Sequence, residues 1–150
     1  MEQLKEYLEK LESADMTAAF CIDGEEETEV RGLTFDSKEV VSGGIFVCKG
    51  KNFRVEYLKE ALERGCICYV SEKRYELSEE IAWIQVKDIR KAMPVLAAIF
   101  YRTEPLPLHL TGVTGTKGKT TTSYYIKAIL DVWEKKQQGK ETGILSSVDI

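Results

Sequence analysis

Gly115, Thr116, Lys117, Gly118, Lys119, Thr120 and Thr121 form a run whose residue types suit one kind of chemistry, the holding of a phosphate chain. Glycines at 115 and 118 let the backbone approach phosphate oxygens with no Cβ in the way, so that successive amides can converge on them. Lys119 is placed to reach the β- and γ-phosphates of a nucleoside triphosphate, and the Thr120 hydroxyl is a hard oxygen ligand for Mg²⁺. The general pattern GxxxxGK[ST] is not met, because Val113 stands where its first glycine belongs. What remains is GxxGKT with a further glycine at 112.

Such a loop works only between a strand that fixes its entry and a helix whose N-terminal amides complete the anion site. The flanks supply both expectations: Leu108 to Val113 reads as a strand, Lys119 to Gln137 as a helix with Ile126, Ile129, Leu130 and Trp133 in phase, and Gly143 to Leu145 as a second strand. Together these predict the opening of a βαβ unit. The segment Thr103-Glu104-Pro105-Leu106-Pro107 holds two of the three prolines and reads as a linker, which sets a domain boundary at residues 1–106 and 107–150.

Ahead of the linker, strand-like and helix-like segments alternate. Leu4, Tyr7, Leu8 and Leu11 have helical spacing; Val30 to Phe35 and Ile45 to Cys48 read as strands around a Gly43-Gly44 turn; Val55, Leu58, Ala61 and Leu62 mark a helix that Gly65 caps. Strands at Ile67 to Val70 and Ala82 to Val86 follow, and Asp88 caps a helix carrying Ile89, Met93, Leu96, Ala97 and Phe100. Pro94 lies inside that last pattern and should kink the helix or mark its first turns. The fold class is therefore α/β in both parts.

Composition narrows the function. With 21 Lys and Arg against 25 Asp and Glu, the net charge is −4, and no basic stripe exists to track a nucleic-acid backbone. No apolar run approaches the roughly 20 residues that span a bilayer, and the charged start of the chain is unlike a signal peptide, so a cytoplasmic protein is expected. Asp23 to Glu29 is read as a solvated acidic loop rather than a cation site. Cys21, Cys48, Cys66 and Cys68 lack CxxC spacing and have one histidine, His109, for company, so buried free thiols are expected, with Cys66 and Cys68 on one face of a strand.

The string TGVTGTKGKTTT at 111–122 resembles the ATP loop of the Mur ligases, whose pattern is TGTxGKT[ST]. The run Leu33 to Lys38, then Gly43-Gly44-Ile45-Phe46-Val47 and Gly50, resembles the uridine-nucleotide domain of that family, and Thr142 to Ser147 is most similar to its MurE branch. Lys38 stands where the family has arginine, and Lys51-Asn52-Phe53-Arg54 replaces its histidine, glutamine and aspartate cluster. Without the resemblance, Asp36 and Ser37 read as a turn that caps itself.

The resemblance implies a small uridine-nucleotide domain over 1–106, with Phe35 and Ser37 at the substrate, and the truncated beginning of a P-loop ATPase domain over 107–150. It implies ATP and Mg²⁺ as cofactors, with Gly115 to Thr121 on ATP, Lys119 catalytic and Thr120 on the metal. The partners implied are a UDP-MurNAc-peptide, an amino acid and the rest of a ligase chain beyond residue 150. The activity would be ATP-dependent ligation of the amino acid to UDP-MurNAc-L-Ala-D-Glu through an acyl phosphate, in peptidoglycan synthesis. The loop and one metal ligand alone do not make a phosphoryl-transfer site, so the chain by itself is expected to be inactive. A P-loop GTPase would carry NKxD and DxxG motifs, which are absent from the sequence. A non-catalytic nucleotide-binding paralogue or truncated product, with a regulatory or scaffolding role, is the alternative reading.

Overall fold

The computed structural model describes residues 2–77, 80–103, 109–137 and 142–146. The chain divides into two compact units, Met1–Leu106 and Pro107–Ile150.

The first unit opens with helix α1, Leu4–Ser13, whose Leu4, Tyr7, Leu8 and Leu11 are buried as their spacing predicts. Its first amides are satisfied from the acidic stretch: Leu4 N–H donates to the Thr28 carbonyl at 2.9 Å and Lys5 N–H to that of Glu26 at 3.1 Å. Lys5 Nζ adds an ion pair with Glu27 at 2.5 Å. The acidic loop thus caps a helix, placing carboxylates where the helix dipole favours them.

Strands β1 (Thr17–Cys21), β2 (Gly32–Thr34), β3 (Gly44–Val47), β4 (Cys68–Ser71) and β5 (Ala82–Val86) form one sheet in the order β1-β5-β4-β3-β2. The four strands from β2 to β5 are parallel, and β1 lies antiparallel on β5 at the edge. Helix α2 (Val55–Glu63) makes the crossover from β3 to β4, and α3 (Ile89–Phe100) follows β5. Both faces of the sheet are covered, so strands β3 and β4 are buried at every position. One layer packs Ile45, Val47, Cys68, Val70 and Ile84 against α1 and α3. The other packs Phe46, Tyr69, Cys48 and Cys66 against Leu58 and Ala61 of α2. Complete burial of residues such as Leu4, Leu58 and Leu96 is worth about 1.5–3 kcal/mol each.

Several expectations are corrected here. Strand β1 is absent from the sequence reading, since Thr17-Ala18-Ala19-Phe20-Cys21 has no apolar alternation, and pairing with β5 makes it a strand. Cys66 and Cys68 do not share a face. The strand begins at Cys68, so period-two alternation does not extend back to Cys66, and the two thiols enter opposite layers. All four cysteines are free thiols. Helix α3 continues through Pro94 in its second turn, started by Asp88, whose carboxylate accepts from the amides of Arg90 and Lys91.

Gly65 does end α2, at φ +86, where an added Cβ would stand 2.9 Å from Ser42 Oγ. The linker residues 104–107 and Leu108 lie outside the described residues. Thr103 N–H still bonds the Ala98 carbonyl at 3.0 Å, and Arg102 Nε pairs with Glu2 at 3.0 Å.

In the second unit, helix α4 spans Lys119–Gln137 as expected. Neither 109–113 nor 142–146 enters a strand ladder, so of the expected βαβ opening only the helix is seen in regular form among the described residues. A strand is defined by hydrogen bonds to neighbours, and these two segments have none in a ladder. Residue 142 is tied to the helix instead: Thr142 N–H donates to Asp131 Oδ1 at 2.7 Å, and Lys127 Nζ donates both to Asp131 Oδ2 at 2.7 Å and to the Thr142 carbonyl at 2.6 Å. These bonds hold the Asp131 carboxyl below its ordinary pKa. Ile129 and Trp133, in phase on α4, are more than half exposed.

Candidate nucleotide sites

In the second unit, the loop bends into α4 at Gly118, whose φ of +78 only glycine adopts without strain. The first bond of the helix runs from Thr122 N–H to the Gly118 carbonyl at 2.9 Å. The amides of Thr116, Lys117, Gly118, Lys119 and Thr120 bond no other described residue, which leaves a run of donors at the N-terminus of a 19-residue helix. Lys119 Nζ donates to the Gly115 carbonyl at 2.8 Å, folding its charge over the loop. Gly115 to Lys119 and Thr121 are exposed and Thr120 is half-buried. The Thr120 hydroxyl has no hydrogen-bond partner among the described residues, and as an uncommitted hard oxygen it fits a Mg²⁺ ligand. No group of three His, Cys, Asp or Glu side chains suited to a metal occurs among the described residues.

In the first unit, β2 delivers its chain into the Phe35-Asp36-Ser37 turn at the carboxyl edge of the parallel strands, where open α/β sheets bind ligands. Asp36 Oδ1 accepts from Lys38 N–H at 2.9 Å and so caps the short 3-10 turn Ser37–Glu39. Phe35 and Ser37 then differ sharply. The Phe35 ring is 56% exposed, whereas Ser37 is buried and its Oγ donates to Glu60 Oε2 on α2 at 2.6 Å. With its proton committed to Glu60, the Ser37 hydroxyl faces any ligand only as an acceptor.

Two residues were missed by sequence reasoning. Glu60 holds Ser37 across a separation of 23 residues. Lys49, just past β3, places Nζ 3.6 Å from the centre of the Phe35 ring, a cation–π contact. Neither has a signal in local spacing, because both partners meet only through the β2–β3 pairing and the α2 crossover.

A mostly parallel sheet with a crossover helix, joined in sequence to a glycine-rich loop that opens a long helix, defines an α/β protein. No protein-family model matches the chain. Among curated proteins, it is 41% identical over 123 residues to UDP-N-acetylmuramyl-tripeptide synthetase of Lactobacillus delbrueckii subsp. bulgaricus, covering 82% of this chain and 23% of that protein. It is 43% identical, with the same shares covered, to UDP-N-acetylmuramoyl-L-alanyl-D-glutamate--L-lysine ligase of Enterococcus faecalis. Among solved structures, MurF from Acinetobacter baumannii aligns with a TM-score of 0.62 at 27% identity, over 83% of this chain and 27% of that one. MurF ligase from Thermotoga maritima in complex with ADP aligns at 0.52 and 31% identity, over 72% of this chain and 24% of that one. The chain belongs to the Mur ligase family, and its curated relatives are of the MurE type. It spans about a quarter of the length of the relatives it matches.

Proposed function

We propose that this chain is the nucleotide-binding portion of an ATP-dependent ligase that adds an amino acid to UDP-MurNAc-L-Ala-D-Glu in cytoplasmic peptidoglycan synthesis. Residues 1–106 act as its uridine-nucleotide domain and 107–150 as the start of its ATPase domain. In the reaction, the terminal carboxylate of the UDP-linked dipeptide takes the γ-phosphoryl group of ATP, releasing ADP. The amine of the incoming amino acid attacks the resulting acyl phosphate, and inorganic phosphate leaves.

The observation that carries this reading is the run of uncommitted amides at Thr116 to Thr120 with Lys119 Nζ folded over the Gly115 carbonyl. Those amides and the ammonium group are hydrogen-bond donors at a helix N-terminus, a set suited to phosphate oxygens, so the loop would position the triphosphate and neutralise charge as it builds. Lys119 exchanges the Gly115 carbonyl for the phosphates. Thr120 is the residue that would hold Mg²⁺, which supplies charge neutralisation at the phosphates when bound. In the first unit, the Phe35 ring offers a face for the uracil and Ser37 offers an acceptor.

The test is an amide-resonance titration of the labelled chain with MgATP and, separately, with UDP-MurNAc-L-Ala-D-Glu. MgATP should move Gly115 to Thr121, and the UDP compound should move Thr34 to Lys38. If both sets stay still at millimolar ligand, the reading fails.

A further inference from the structure

Helices α1, α2 and α3 of the first unit end in the same hydrogen-bonded turn, built on three different residues. At the end of α2, Gly65 N–H donates to the Leu62 carbonyl at 2.8 Å and Cys66 N–H to that of Ala61 at 3.1 Å. At the end of α1 the same bonds run from Asp15 to Glu12 and from Met16 to Leu11, both at 2.9 Å. At the end of α3 they run from Arg102 to Ile99 at 3.1 Å and from Thr103 to Ala98 at 3.0 Å. This paired arrangement is the Schellman turn, and it needs a left-handed residue directly after the cap. The residues so placed are Asp15 at φ 54, Gly65 at φ 86 and Arg102 at φ 50.

Glycine adopts that conformation freely and aspartate often does, whereas arginine has neither advantage. The disfavoured residue thus stands at the end of α3, where the chain leaves the first unit. A long-range contact holds it there, since Arg102 Nε pairs with Glu2 at 3.0 Å. Glu2 is itself fixed by its backbone: its carbonyl accepts from Val30 N–H at 3.0 Å, and Gln3 bridges to Glu29. The Arg102 side chain is 65% exposed and that of Glu2 30%, so water and salt compete with the pair and keep it weak. Backbone strain persists only while its surroundings hold it, and a turn held by a weak pair is poised near its own opening.

We propose that this turn is a latch on the chain that leads to the second unit. Closed, Glu2 keeps Arg102 left-handed and the last turn of α3 wound. Open, Arg102 relaxes to an extended conformation, the amides of Arg102 and Thr103 pass to water, and residues 101–103 lengthen from about 1.5 Å to about 3.3 Å each. The tether gains about 5 Å in this way while the sheet and its two core layers stay intact. The latch uses no residue of either candidate nucleotide site, so it is tested apart from the reading of those sites.

The test is amide exchange, measured by NMR at fixed pH on the 150-residue chain as wild type, Glu2→Gln, Arg102→Gly and the double variant. Glu2→Gln should speed exchange at Arg102 and Thr103 by about two- to five-fold, the range expected for loss of an exposed ion pair. The amides of Asp15, Met16, Gly65 and Cys66, at the other two helix ends, should keep their rates. With glycine at 102 there is neither strain nor pair, so adding Glu2→Gln should leave Thr103 unchanged. Trypsin should also cleave the Arg102–Thr103 bond about two- to five-fold faster in Glu2→Gln, because proteolysis follows the population of the opened turn. The latch is overturned if Glu2→Gln leaves Thr103 exchange or this cleavage at the wild-type rate. It is equally overturned if all three helix ends loosen together, or if Glu2→Gln acts on Thr103 as strongly with glycine at 102 as with arginine.

Discussion

Lys119 Nζ and the Gly115 carbonyl oxygen lie 2.8 Å apart, a bond that closes the glycine-rich loop upon itself. The contact is exposed and therefore weak against water, so a phosphate chain can replace it at little cost. It also keeps the ammonium group over the loop instead of free in solvent, which shortens the rearrangement needed when a nucleotide arrives.

Replacing Lys119 by alanine in a complete ligase containing this stretch should lower kcat/KM by at least about 100-fold, about 3 kcal/mol of transition-state stabilisation, as for loss of one preorganised charge donor. In the 150-residue chain alone, no ligation should be detected with or without Lys119. Steady-state phosphate release measured on both pairs of proteins checks this. Lys119-dependent turnover by the chain alone would show that it contains a competent site.

Ser37 is a structural residue as well as a candidate contact, so Ser37→Ala should destabilise the first unit by about 1–3 kcal/mol through loss of its bond to the Glu60 carboxylate. A double-mutant cycle with Glu60→Gln in urea separates this from any loss of ligand binding. A coupling energy near zero would remove the Ser37–Glu60 bond from the account of stability.

At Gly65 a side chain would meet both an unfavourable φ of +86 and the Ser42 hydroxyl at 2.9 Å. Gly65→Ala should cost about 1–3 kcal/mol. Gly24, also at positive φ but with open space around an added Cβ, should tolerate alanine better, and comparison of their denaturation midpoints tests the difference.

Burial pushes the Cys66 thiol up from 9.0 to about 11, Cys48 higher still, and Cys68 well above the ordinary thiol value. The unfolded chain therefore ionises first as pH rises, the native state binds more protons above pH 9, and stability must fall there. For Cys66 alone the loss between pH 9 and 11 is on the order of 2 kcal/mol. Urea unfolding at pH 7.5, 9 and 10.5 should show a steady decline, and thiol labelling at pH 8 should modify half-buried Cys21 well before the other three.

The sequence alone determined whatever depends on neighbours within a turn or two. The phase of Leu4, Tyr7, Leu8 and Leu11 specified the buried face of α1, Asp88 specified the start of α3, and Gly65 the end of α2, because periodicity, capping and positive φ are local properties of the chain. Glycine and lysine spacing likewise marked the loop at 115–121 before α4. Tertiary structure decided what depends on partners far along the chain. Thr17–Cys21 became a strand because β5 offered it an edge, and Cys66 and Cys68 were parted by the point where β4 begins pairing. The acidic stretch became a helix cap through its carbonyls, Ser37 found Glu60, and Lys49 came to rest on Phe35. Each of these contacts joins residues well separated in sequence, whose ordering entropy is overcome only when the whole sheet and its two helical layers form together, so no local pattern can announce them.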